Sequence, residues 1–239
     1  MKYSLPIFII ISFPFLVSCG LEDNISSINP PEYSLTSDGD SYFEIRITAD
    51  NDEDYFRGIE FYYKFYGKDT SPSSLDINLD THDDLVAANF KRLSSSTDSI
   101  NNYEKPLVFV LYEDRGYEST ITVDFSDMDD PYIYAEPNPA NSINPVDLRP
   151  FGLDILQADP LEIYRESTYT EGINYPQCKP FNDMDKDDSD LAHISQDFGS
   201  YPELKILMYA ISYGKYDLTT KLYSKAVCLQ YINIDFTHQ

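Results

Sequence analysis

An acidic run, Asp183-Met184-Asp185-Lys186-Asp187-Asp188-Ser189-Asp190, places five carboxylates, hard oxygen donors, within eight residues. Asp183, Asp185 and Asp187 fall at alternate positions, a spacing with which a loop can wrap calcium. An EF-hand loop further requires Gly at its sixth position and Glu at its twelfth, where this chain has Asp188 and Ile194. The EF-hand is excluded, which leaves a looser calcium loop set against a plain solvated acidic loop. Asp127, Asp129 and Asp130 form a smaller cluster with the same two readings.

Nucleophilic and acid–base chemistry has less to stand on. His82, His193 and His238 are too few and too separated for a zinc site, and His82 reads as a surface residue in the first turn of a helix. Neither Gly-x-Ser-x-Gly nor His-Glu-x-x-His occurs, and there is no Cys-x-x-Cys, dinucleotide fingerprint or phosphate loop. A glycosidase needs only two well-placed carboxylates, so 41 acidic residues leave that chemistry open without supporting it. No cofactor other than calcium is implied. The 21 tyrosines are more suggestive, because a phenol joins rigid apolar area to a hydrogen-bonding tip. Tyr62, Tyr66, Tyr209 and Tyr213, with Tyr112, fall on strand exteriors, where they make either a binding face or simple cover for a sheet.

The elements that would position these residues are mostly strands. Phe43, Ile45 and Ile47 alternate with polar neighbours, and Ile59, Phe61, Tyr63 and Phe65 do the same, ending at Gly67. Val86, Phe90 and Leu93 sit at helical spacing, and Thr81 with Asp84 matches a capping box, which predicts a short helix within residues 81–93. Leu107, Phe109 and Leu111 read as a central strand, with Ile121, Val123 and Phe125 as its neighbour. Prolines between residues 127 and 150 argue against regular structure there. Leu204 to Tyr213 is a long strand, and Tyr223 to Asp235 contains its returning partner. The expected fold class is all-β: an antiparallel β-sandwich with one short helix and long loops. Its alternation resembles that of immunoglobulin- or fibronectin-type modules, although the chain has no Trp.

The first nineteen residues, MKYSLPIFIIISFPFLVSC, begin with a basic Lys2 and continue into thirteen mostly apolar residues. About 20 apolar residues are needed to span a bilayer, so this run has the size of a signal-peptide core. Leu16-Val17-Ser18-Cys19 resembles the lipobox of bacterial lipoproteins, and the Asn-, Ile-, Lys- and Tyr-rich style is similar to that of spirochaete or Bacteroidetes lipoproteins. The resemblance implies cleavage before Cys19, acylation of its thiol and amino group, and stable anchoring by two or three acyl chains. Gly20, where the inner-membrane retention signal has Asp, favours the outer membrane.

Residues 1–18 are then a signal peptide, 19–41 a lipidated tether and 42–239 the β-sandwich body. Two modules, 42–126 and 151–239, joined by a Pro-rich linker are the alternative. With Cys19 acylated, Cys178 and Cys228 remain as an even pair in an exported protein. A bridge between them would be worth about 4 kcal/mol by chain entropy; two buried free thiols are the other reading. The chain carries 17 basic against 41 acidic residues, a net charge of −24, which argues against nucleic acid. These features point to a membrane-anchored envelope protein that binds a protein or glycan partner or serves envelope assembly, with a glycan hydrolase as the alternative.

Overall fold

The computed structural model describes residues 28–38, 42–48, 56–67, 69–94, 107–109, 118–126, 131–136, 148–150, 161–168, 177–181, 184, 188–191, 194, 204–215 and 220–234. Its strands and helix run in the order β1 (Glu32–Asp38), β2 (Tyr42–Thr48), β3 (Phe56–Gly67), α1 (His82–Ala87), β4 (Lys91–Arg92), β5 (Leu107–Phe109) and β6 (Glu118–Asp124). They continue as β7 (Tyr132–Glu136), β8 (Leu148–Pro150), β9 (Leu161–Glu162), β10 (Arg165–Thr168) and β11 (Gln177–Lys179). The last are β12 (Leu204–Lys215), β13 (Lys221–Tyr223) and β14 (Val227–Ile234).

Two antiparallel sheets pack face to face, so the fold is an all-β sandwich. One sheet has the order β1-β2-β6-β7-β9. The other runs β13-β12-β3-β5-β8, with β14 also on β12 and β4 also on β3. The period of two decides the core. Phe43, Ile45 and Ile47 of β2 and Ile121 and Val123 of β6 point inward from the first sheet, with Phe43 opposite Val123 and Ile45 opposite Ile121. From the second sheet they meet Ile59, Phe61, Tyr63 and Phe65 of β3 and Leu204, Ile206, Met208 and Ala210 of β12. Phe181, beyond β11, is fully buried among Tyr63, Phe65 and Phe125. The Tyr33 hydroxyl donates to the Leu229 carbonyl at 2.9 Å, which laces β1 of one sheet to β14 of the other.

The two-module alternative does not survive this topology. β3, from the first half of the chain, pairs with β12, from the second, through eleven residue pairs. The halves therefore share one sheet and one core. Two other expectations are corrected. The segment expected as a tether already contains β1, paired with β2, and Ile28 and Pro31 ahead of it are buried. The Pro-rich stretch contains β7 and β8, short strands whose pairing with β6 and β5 outweighs the local composition.

The outward face of β3 and β12 is covered as well. Residues 69–90 fold across it, and Leu79, Leu85 and Phe90 pack on Tyr62, Tyr66, Leu207, Tyr209 and Ile211. Asp76 fastens this cover: Lys64 reaches its carboxylate at 2.9 Å and Ser73 Oγ donates to it at 2.9 Å. Burial opposes ionisation of Asp76, but the hydrogen bonds from Lys64 and Ser73 outweigh it and hold the carboxyl below its ordinary range.

Candidate functional site

The cover ends at α1, and α1 sets the site. Thr81 accepts from the Asp84 backbone N–H at 3.1 Å, while the Asp84 carboxylate accepts from the Thr81 backbone N–H, also at 3.1 Å, so the expected capping box is formed. The helix is shorter than the sequence period suggests, ending at Ala87 with Asn89 in the left-handed region at φ 66°. The bonds from Phe90 N to Leu85 O and from Asn89 N to Val86 O close it as a Schellman turn. These two caps fix His82, the first helical residue, over the outer face of the sheet.

His82 lies parallel on the Tyr223 ring, with centroids 3.9 Å apart and planes 4° apart, and meets the edge of Tyr62 at 5.7 Å. Tyr213 flanks Tyr223 on β12, at 5.5 Å. Behind these rings Glu60 is buried at 1% exposure. Arg92 reaches one of its carboxylate oxygens at 3.2 Å and the Tyr62 hydroxyl donates to the other at 2.8 Å. Burial, then the charge of Glu60, pushes the phenols of Tyr62 and Tyr223 well above the ordinary tyrosine range. Both phenols stay neutral, and that of Tyr62 donates to Glu60.

Two clefts open on either side of the stack. The larger, about 480 Å³, is lined by Ile28, Asn29 and Pro30 of the incoming chain, by Asp80, Thr81, His82 and Asp83, and by Tyr223, Ser224 and Lys225. The smaller, about 290 Å³, has apolar walls from Val86, Phe90, Tyr62 and Tyr223, and carries Lys91, Arg92 and Lys221 beside His82. Of these, Arg92 is paired with the buried Glu60. His82 is a partly exposed surface residue, as expected, with its ring stacked on Tyr223.

Of the two readings of the strand tyrosines, a binding face or simple cover for a sheet, burial favours cover. Tyr62, Tyr66, Tyr209 and Tyr213 are all at most 5% exposed, because residues 69–90 lie over the face that alternation alone leaves open and the Tyr223 ring packs on Tyr213. Tyr209 anchors that cover: its hydroxyl donates to the Asp76 carbonyl at 2.6 Å and accepts from Leu79 N at 3.3 Å.

Asp183, Asp185 and Asp187, Asp127 to Asp130 and Cys19 lie outside the described residues. The neighbours of the expected calcium loop are committed elsewhere. Arg165, fully buried, pairs with Asp188 and with Asp190, the latter at 2.8 Å, and donates to the Pro180 carbonyl. Tyr63 donates to Asp190 at 2.9 Å, and Lys179 reaches Asp188 at 3.2 Å. Among the described residues no group of three or more His, Cys, Asp or Glu converges to hold a metal. The Arg165 cluster was missed by sequence reasoning, although Arg165 follows the buried Ile163 by two positions and so shares its inward side.

The expected Cys178–Cys228 bridge is not seen among the described residues. Cys228 is a free, half-buried thiol packed with the outer-face cluster around Tyr209. Cys178 belongs to the β10–β11 ribbon, which is followed by the inner-core Phe181. Burial raises the Cys228 thiol above its ordinary range, so it is a packing group. No helix among the described residues is long and apolar enough to cross a membrane. No protein-family model, curated protein or solved structure matches this chain.

Proposed function

We propose that this chain is a lipid-anchored protein of the bacterial cell envelope that binds a protein or glycan partner, or supports envelope assembly, without catalysing a reaction. The apolar run ending in Leu16-Val17-Ser18-Cys19 supports the anchor, and Gly20 favours the outer membrane. The observation that carries the binding role is the aromatic stack of His82 on Tyr223 between two clefts. Its phenols are held protonated, and Glu60 behind it is engaged by Arg92 and Tyr62. Such a wall offers rigid contact area and hydrogen bonds.

The position of the larger cleft suits an envelope partner. Ile28 lines it and follows Cys19 by nine residues. A fully extended segment of that length spans at most about 30 Å. A lipidated Cys19 would keep the cleft within that distance of the bilayer. Metabolic labelling with a fatty acid tests the anchor; the label is expected on wild type and lost on Cys19→Ala. Crosslinking of the anchored protein in whole cells is expected to capture an envelope protein or glycan, and Tyr223→Ala is expected to reduce that capture. Turnover of a saccharide by the purified chain would overturn the non-catalytic reading.

A further inference from the structure

We infer that the free edge of β1 takes up one extended segment of a partner protein, apolar at alternate positions and basic at its ends, by adding it to the sheet as a further strand. Among the described residues β1 pairs with β2 alone, so a row of its backbone N–H and C=O groups has no ladder partner. Its side chains are left open in the same way. Tyr33 and Leu35 stand opposite the fully buried Ile47 and Ile45 and so point to the inner side of the sheet, yet they remain 36% and 41% exposed. The opposing sheet gives the reason. Tyr33 reaches across to the Leu229 carbonyl of β14, and β14 in turn pairs with β12 alone among the described residues. The two sheets thus leave a seam between β1 and β14 at which the inner layer is not fully covered.

The usual safeguards of an edge strand are few here. β1 contains no Lys and no Pro, and its bulge falls between Leu35 and Ser37, which leaves Glu32–Leu35 in regular register with β2. Strand addition supplies what the seam lacks: ladder hydrogen bonds give affinity, and every second side chain of the added strand falls beside Tyr33 and Leu35. Charge selects the occupant. Residues 32–40 hold Glu32, Asp38 and Asp40 and no Lys or Arg, within a chain of net charge −24. The cation in register with β1 is Arg46, opposite Ser34 on the outer side and already engaged. A second copy is disfavoured, because antiparallel pairing along the whole of two β1 strands sets Glu32 of each copy against Asp38 of the other. A strand with cations at its ends meets the same two residues favourably and is steered to them.

This surface is separate from the His82–Tyr223 wall and does not depend on the role proposed for it. Its test is titration of the full chain in detergent micelles at low ionic strength with two synthetic peptides of the length of β1, Lys-Val-Thr-Val-Thr-Val-Lys and Glu-Val-Thr-Val-Thr-Val-Glu, followed by residue-resolved amide exchange. The Lys-ended peptide is expected to bind about tenfold more tightly than the Glu-ended one and to slow exchange in Glu32–Leu35. Leu35→Lys, which puts a charge into the seam, is expected to weaken that binding about tenfold. Leu75→Lys, the same change at an exposed side chain of the cover, is expected to leave it within about twofold.

Equal binding of the two peptides would overturn the basic character assigned to the partner. Protection that appears in β14 and not in β1, or no binding of either peptide, would overturn the site itself. Sedimentation of the chain alone covers the remaining occupant: a dimer that Leu35→Lys dissolves would give the seam to a second copy instead. The role of the His82–Tyr223 wall is decided apart from these results, by the loss of capture in cells on Tyr223→Ala.

Discussion

The cost of burying charge is concentrated at Arg165. Its guanidinium is held by two carboxylates, Asp188 and Asp190, and by the Pro180 carbonyl, so each charge is answered within hydrogen-bond reach. Removing one partner from such a cluster leaves an uncompensated buried charge, which costs about 3–5 kcal/mol. Asp190 is the member with a legible titration. Burial pushes its carboxyl up to about 6, with Asp188 adding to the rise and Arg165 and Tyr63 opposing it. The folded protein thus holds this proton more tightly than the unfolded chain does. The stabilisation from that proton is fully present below the ordinary value of 3.8 and is lost as the pH rises through about 6. The difference corresponds to about 3 kcal/mol. The amide of Asp190→Asn cannot titrate, so between about pH 4 and 6 the wild type is expected to lose that much stability relative to the variant. Urea unfolding across this range measures it. Two parallel stability profiles would sink the assignment of the titration to Asp190.

Short elements owe their form to their ends, and α1 shows how much of an end can be read from sequence. Thr81 and Asp84 state the start of the helix, because reciprocal side-chain capping depends only on residues three apart. Its stop is less legible. Phe90 and Leu93 continue the apolar period, but Asn89 takes a left-handed conformation and turns the chain into β4, so the observed helix stops at Ala87. The strands follow the same division. Alternation identifies β2, β3, β6 and β12, whose inner residues are buried. It cannot tell that the outer face of β3 and β12 is covered, since that depends on where residues 69–90 lie. This is why alternation leaves a binding face and simple cover both open for the tyrosines of that face, which lie in a second apolar layer. The caps also carry the site, because His82 begins the helix they define. Thr81→Ala is expected to cost about 1 kcal/mol, and Asn89→Gly to be neutral or slightly stabilising, since glycine accepts a positive φ without strain. Thermal unfolding measures both. For Thr81→Ala, the ring shifts reporting the stack of His82 on Tyr223 should broaden or move as the first turn frays. An unchanged stack would show that packing on Tyr223, and not the cap, holds His82.

At the scale of the whole molecule, the sequence suggests strands but not which of them meet. Period-two alternation is local, whereas the pairing of β3 with β12 joins residues separated by more than half the chain. The clefts are products of that long-range pairing, for they unite α1 and β4 with β13 around rings on β3 and β13. No motif could announce them. The same pairing bears on stability. β3 and β12 are buried on both faces, by the core on one side and by residues 69–90 on the other. The first sheet contributes Phe43, Ile45, Ile47, Ile121 and Val123 to the same core as β12, so neither half of the chain keeps a core of its own. Unfolding is therefore expected to be a single cooperative transition, with the calorimetric enthalpy equal to the van't Hoff value. Within the native state, amide exchange should be slowest in β3 and β12, where opening requires loss of the whole core, and faster in β1, an edge strand with an exposed face. Two resolved calorimetric transitions, or slowest exchange confined to one half of the chain, would mean that the halves are separate folding units. The shared sheet requires them to melt together.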